Sequence, residues 1–351
     1  MHYLFKSSMN KKSIIGVVVL VVVIIAIVLF MGKKNEPVST AMPTAGLFPG
    51  TIKVGHLVAT DMAPLFIAKE AGYFKDEGLN VETVFFSNPG DNNAALAGGS
   101  EQFAINPFTL AYLGANSGVP MRIIANAGGN GIMQVVIQGK YKVNSMDDLV
   151  AWVKAHPGQK LKVGTLRGDT LDMILYKAFK DKGLSYDNFQ MVWFDDLLAM
   201  VQSFKTGDID VLSHIQPYTN DLQANYGAKF LTDNAIVWGQ GTPNTTLIVL
   251  DSFQKQYPET VKRFLRAENR ALDLIKSDPA QAVKILSGKN YYKTPDDVLL
   301  ASFKTQKDAT LVPNKDGMMI AINDMVAQNY IKVPTQDIVD TTILQQVLAG
   351  K

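Results

Sequence analysis

Cysteine is absent from the chain. That excludes disulfides, thiolate metal centres and a lipid-modified cysteine behind an export signal. Histidine occurs four times, at positions 2, 56, 156 and 214, and no two stand at a metal-ligand spacing. A metal site would have little to be built from. Catalytic signatures are missing as well: there is no GxSxG, no HExxH, no P-loop and no GxGxxG after a strand-like run. Asp195 and Asp196 are adjacent, which suits a helix cap better than an acid–base pair. Beyond residue 34 neither sign of charge dominates, with 29 basic against 32 acidic groups once five lysines are set aside. Nothing in that balance suggests nucleic acid.

Long apolar runs are also rare, with one exception. Ile14 to Met31 is an 18-residue stretch without charge, preceded by Lys6, Lys11 and Lys12 and closed by Lys33 and Lys34. It is just long enough to span a bilayer. The nearest cleavage-like pattern, Ser39-Thr40-Ala41, lies well past the run, so residues 1–34 are read as an uncleaved signal anchor, with cleavage as the alternative. The lysine distribution places the amino end in the cytoplasm and the body outside. Residues 35–50 are rich in Pro, Gly, Ser and Thr and read as a linker.

From Thr51 onward short β-like runs alternate with helical patterns, which implies a largely parallel α/β sheet. The order then restarts. VGHL at 54–57 returns as VGTL at 163–166, FKDEGL at 74–79 as FKDKGL at 179–184, and VETVFF as FQMVWF. ALAGGSEQFAI at 95–105 answers to SFKTGDIDVLS at 203–213. Four features in one order at a nearly constant offset indicate two similar lobes. The expected division is lobe 1 over 51–131 plus 251–351 and lobe 2 over 132–250, with GGNG (128–131) and GQGTPN (239–244) at the crossings. Past Pro258 the pattern turns helical, with Val261, Phe264, Leu265, Leu272 and Ile275 on one face. Further helices are expected after Ser277-Asp278-Pro279 and Thr294-Pro295.

Ligands of open α/β sheets sit beyond the carboxyl ends of the strands. Four segments qualify: HLVATDMAP, NPFT, TLRGDT and HIQPY. In TLRGDT, Asp169 or Thr170 suits an N-cap and Asp172 the first turn, which accounts for those residues without any ligand. Arg167 and Gly168 are left over, a multi-donor cation and a close backbone approach beside helix N–H groups, and together they make an anion site plausible. As an adhesion tag the Arg-Gly-Asp string lacks the protruding loop it would need. His56 and His214 each end a strand, where satisfied histidines are the commoner outcome. Asn106, Phe108 and Thr109 offer an amide, an aromatic face and a hydroxyl, and Trp193 and Trp238 fit either cleft or core.

PLFIAKEAGYFKDEGLNVE (64–82), ALAGGSEQFAINPF (95–108), VGTLRGDT (163–170) and FKTGDIDVLSHIQPY (204–218) resemble the solute-binding proteins of ABC importers. The group includes nitrate, taurine and aliphatic-sulfonate receptors and the NMT1/THI5-like proteins. The resemblance implies a two-lobed periplasmic-binding-protein type II fold. It also implies a monomer that closes on a small anionic or zwitterionic solute and delivers it to a membrane permease and its ATPase, with no cofactor or catalysis. By the same resemblance the contacts would be His56, Thr60, Asp61, Asn106, Phe108, Arg167, Gly168, Asp169, Thr170, Gln216 and Tyr218. Many relatives resemble GST or GSS where this chain has Gly168-Asp169-Thr170. A carboxylate in place of that serine repels an anion, which keeps a thiamin-precursor pyrimidine or another amino-heterocycle open as ligand. An extracytoplasmic sensor module is a further alternative. So is an enzyme like the fungal THI5-type pyrimidine synthases, whose cysteine-rich iron motif this chain lacks.

Overall fold

A computed structural model describes residues 45–350. The expected anchor at 14–31 and the linker up to residue 44 lie outside them. Among the described residues no helix is long and apolar enough to cross a membrane. Residues 46–48, expected in the linker, belong to the folded body. The Phe48 ring lies 5.6 Å from Phe253 and 5.1 Å from Tyr257, and its N–H donates to Thr260 Oγ1 at 2.7 Å. A large aromatic ring beside an apolar cluster gains more by docking than a solvated linker would.

Ten strands form two sheets. In chain order they are β1 (Ile52–His56), β2 (Val81–Phe85), β3 (Phe103–Pro107), β4 (Met121–Asn126) and β5 (Met133–Ile137), then β6 (Lys162–Leu166), β7 (Gln190–Phe194), β8 (Val211–Ile215), β9 (Lys229–Asp233) and β10 (Thr245–Leu250). The first sheet runs β2-β1-β3-β10-β4 and the second β7-β6-β8-β5-β9. The two orders are the same once β5 and β10 are matched, and the registers agree too. Val54 pairs with Phe103 and Gly55 with Ala104, as Val163 pairs with Val211 and Gly164 with Leu212. The repeated VG of the sequence has a packing cause at its first copy. A Cβ on Gly55 would come within 2.1 Å of Asn92 Oδ1.

Each sheet is largely parallel, as expected, with one reversed strand: β5 and β10 run antiparallel to both neighbours. Each is the strand the chain enters directly after a crossing, so it arrives from the other lobe against the local strand direction. For the same reason residues 245–250, expected in lobe 2, lie in the first sheet, and the second crossing ends before Thr245.

The helical tail follows its apolar spacing. The helix Pro258–Ser277 buries Val261, Phe264, Leu265, Leu272 and Ile275, and Phe264 stacks on Phe74 at 4.9 Å and on Phe103 at 4.2 Å. Helices also begin at Pro279 and Asp296, as expected. The helix Lys315–Ala327 and its exit reach the second lobe: Lys180 Nζ meets Asp324 at 3.1 Å, and the Tyr330 hydroxyl donates to Asp172 Oδ2 at 2.8 Å. The tail therefore holds both lobes, which fixes how their strand ends face each other.

Candidate functional site

The carboxyl ends of β1 and β3 in one lobe meet those of β6 and β8 in the other. After β1 the chain makes a short 3-10 turn, Thr60–Met62, before the helix Ala63–Glu70. After β6 it turns at Gly168, whose φ of +71° suits glycine, and enters the helix Thr170–Asp181. Backbone bonds join the lobes directly: Thr60 N–H donates to Gln216 O at 2.8 Å, and Leu197 N–H to Ser87 O at 3.3 Å.

A side-chain chain crosses the same interface. Asp61 Oδ2 accepts from Asn244 Nδ2 at 3.2 Å, from Thr245 N at 3.1 Å and from Thr245 Oγ1 at 2.7 Å. Asn244 Oδ1 in turn accepts from Thr170 Oγ1 at 2.9 Å, and that hydroxyl lies 3.0 Å from Asp169 Oδ1. The two loops are thus tied through the second crossing. Asn244 and Thr245 were not among the expected site residues. The signal was present, since a polar TPNTT run opens the apolar strand LIVL, but it reads equally as a loop.

Every expected site residue except Arg167 is buried. Five of them carry a buried atom with no hydrogen-bond partner among the described residues: Thr60 Oγ1, Asp61 Oδ1, Asn106 Oδ1, Asp169 Oδ2 and the Tyr218 hydroxyl. Buried polar groups are nearly always paired, and these five belong to a wider set of unpartnered buried atoms that also includes Glu101, Asn126 and Glu268. The remaining residues have other work. Gln216 donates to Gly131 O at 3.0 Å and so binds the late strand of lobe 2 to the first crossing. Phe108 packs edge-on to Trp238 at 5.9 Å, and Thr170 belongs to the tie just described. His56 Nδ1 lies 2.7 Å from Leu57 O and its ring stands edge-on to Phe66 at 4.8 Å, a strand-end histidine satisfied by its own loop. His214 differs: its Nε2 lies 2.8 Å from Leu197 O, while its buried Nδ1 has no hydrogen-bond partner among the described residues.

Arg167 is not brought to the site. Its side chain is exposed, with the guanidinium 4.2 Å over the Trp193 ring, a cation–π contact at the surface. Several of the donors it was expected to accompany already have partners. Leu171 N–H donates to Asp169 Oδ1 at 2.9 Å, Gly168 N–H to Asp172 Oδ2 at 2.9 Å, and the amides of Asp172 and Met173 to Asp169 O. Asp169 is the N-cap, as its position in the sequence suggested. The helix's own acidic residues thus occupy several of the donors at its start.

Burial governs the charges. It raises Asp61 above the usual carboxylate range despite four hydrogen-bond contributions that favour the anion. It raises Asp169 to about 6, with the neighbouring Asp172 adding repulsion. Burial holds His56 and His214 down at about 4, so both rings are neutral at pH 7. Among the described residues no group of three or more His, Asp or Glu could hold a metal ion. A cavity of about 480 Å³ exists in lobe 1, lined by Tyr112, Asn116, Arg122, Asp251 and Val333 among others, but it lies away from the facing strand ends.

Residues 59–282 match the family model described as NMT1/THI5 like. A binding protein of Brucella abortus is 27% identical over 221 residues, covering 62% of this chain and 65% of that one. The chain thus spans just under two thirds of the length of the first curated relatives. The 4-amino-5-hydroxymethyl-2-methylpyrimidine phosphate synthase of Aspergillus parasiticus is 25% identical over 251 residues, 63% of this chain and 64% of that one. The periplasmic nitrate-binding protein NrtA of Synechocystis PCC 6803 has a similar fold, with TM-score 0.73 at 19% identity over 88% of this chain and 89% of that one.

Proposed function

We propose, from the premise that the chain belongs to the NMT1/THI5-like family, that it is an extracytoplasmic solute-binding receptor of an ABC importer. The observation that carries this reading is the set of unpartnered polar atoms where two lobes of equal topology meet. A receptor needs to surround a small solute, and closure of two lobes does that without any catalytic group. Thr60, Asp61, Asn106, Asp169 and Tyr218 would contact the solute, while Gln216, Thr170 and Phe108 hold the jaws in place and His56 and Gly168 shape the loops. The solute class expected from the family, small anions and zwitterions, then meets a site with two buried carboxylates. That favours the zwitterion, and it supports an amino-heterocycle as a second reading.

Residues 14–31 would tether the body to the membrane beside a permease and its ATPase, unless the segment is cut. The Aspergillus relative is named as a synthase, but the absence of cysteine removes the iron motif of the fungal enzymes that it resembles. Mass spectrometry of the full chain, purified in detergent and then denatured, tests the receptor reading. One small polar solute released per chain is the expected result. A chain that releases none, and that binds none of a broad set of sulfonates, carboxylates, nitrate and pyrimidines by calorimetry, is not a receptor of this kind.

A further inference from the structure

We infer that Glu101 is a proton switch in lobe 1: it holds a proton that it donates to Asn92 Oδ1, and loss of that proton loosens the helix Pro89–Ala97 beside the facing strand ends. Asn92 lies on that helix and Glu101 just ahead of β3, and both are buried. A Cβ on Gly55 of β1 would come within 2.1 Å of Asn92 Oδ1 and 2.2 Å of Glu101 Oε2, so the two oxygens lie at most about 4.3 Å apart. Neither has a hydrogen-bond partner among the described residues. The Asn92 amide is not free to turn and supply one, because its Nδ2 donates to Ile105 O at 3.1 Å. Two buried acceptors thus converge over one glycine. A proton on Glu101 turns their repulsion into a hydrogen bond.

The fold does not require a polar pair here. Along the repeat that aligns 95–105 with 203–213, Asn92 corresponds to Met200 and Glu101 to Ile209. Both counterparts are buried, and Ile209 packs over Gly164, the counterpart of Gly55. Lobe 2 fills this place with apolar side chains; lobe 1 puts a titratable group in it. Burial raises the Glu101 carboxyl from 4.5 to about 7, against the pull of the Lys53 ammonium on β1. Of the other charged or titratable groups on the packed elements, His56 is neutral, and Asp91 on the helix and Glu82 beside Lys53 are exposed. Neither β3 nor β10 contains one. The folded state holds the proton more tightly than the unfolded chain, so the bond is intact at low pH and is lost as the pH rises through 7. The other fastenings of the helix lead to the strand ends. Asn106 Nδ2 donates to Pro89 O at 3.0 Å, and Ser87 O, just ahead of the helix, accepts the Leu197 N–H of lobe 2. A helix released at Asn92 is therefore released beside the cleft.

Hydrogen exchange of the full chain, read by mass spectrometry from about pH 5 to about pH 9 and corrected for the intrinsic rate, tests this without any solute. Protection of peptides covering residues 89–97 should fall about tenfold or more across that range. Glu101→Gln, whose amide donates to Asn92 Oδ1 at every pH, should hold the protection constant. The double variant Asn92→Met with Glu101→Ile copies the lobe 2 pair, should hold it constant too, and decides the matter where Glu101→Gln does not fold. A flat profile in the wild-type chain would mean that a bridging water satisfies an ionised Glu101, and it overturns the inference whatever the variants do. A fall that persists in either folded variant overturns it as well.

Discussion

The loops that follow β1 and β6 occupy equivalent places in two lobes of the same topology, yet they use their acidic residues differently. In the first, Asp61 sits inside a 3-10 turn and looks outward from its own lobe segment to the crossing strand, where three donors converge on one oxygen. In the second, Asp169 looks back to its own helix and caps it. One carboxylate holds the joint between the lobes; the other holds the start of one helix. Duplication therefore preserved strand order and register, which depend on backbone and core, and left the chemistry of the strand ends free to diverge.

Removing the two carboxylates should separate these roles. Asp61→Ala leaves the amide of Asn244 and both donors of Thr245 buried without an acceptor, and should cost about 3 to 5 kcal/mol in urea unfolding. A loss below about 1 kcal/mol would show that the joint is held elsewhere. Near pH 4, where its carboxyl is protonated, Asp169→Ala should cost only the cap, about 1 kcal/mol.

The pH dependence sharpens the same contrast. Asp169 has its carboxyl raised from 3.8 to about 6, so its contribution to stability is complete below pH 3.8 and is lost as the pH rises through 6. Integrated over that window the loss is about 3 kcal/mol at most. Asp169→Asn keeps a capping side chain and cannot ionise, so the variant should match the wild type near pH 4 and exceed it by pH 7. His56 and His214 act in the opposite sense, losing stability as the pH falls from 6.5 through about 4, but they are common to both proteins and cancel in the difference. Equal curves for the two proteins from pH 4 to 7 would mean that Asp169 is ionised in the folded state at no cost.

The smallest effect is expected at Arg167. Its replacement by Ala removes a surface cation–π contact worth about 0.5 to 1 kcal/mol and should leave solute affinity within twofold. A tenfold loss of affinity, read by calorimetry with the released solute, would return Arg167 to the site.

Much of this molecule was legible in its sequence for reasons that are local. The four repeated segments became strands and helix ends with matching registers, because alternation and C-capping glycines are read over a few residues. The apolar face from Val261 to Ile275 and the cap at Asp169 followed from spacing alone. The surroundings of Asn244 and Arg167 were not legible, for the converse reason. A loop asparagine gains its role only when β10 joins the first sheet and carries it between two jaws. The side chain of Arg167 lies over Trp193, on the neighbouring strand, a ring that only the pairing of β6 with β7 brings beside it. The docking of 46–48 is of the same kind, since Pro258 and Tyr257 lie some two hundred residues away in the chain.

The sequence by itself determined that two α/β lobes of one pattern would form, because periodicity and turn residues act over a turn or a strand. Only the tertiary structure decided which polar atoms at their facing ends are spent within the protein and which are left over. That partition depends on donors and acceptors brought together across both crossings, and no short stretch of the chain contains it.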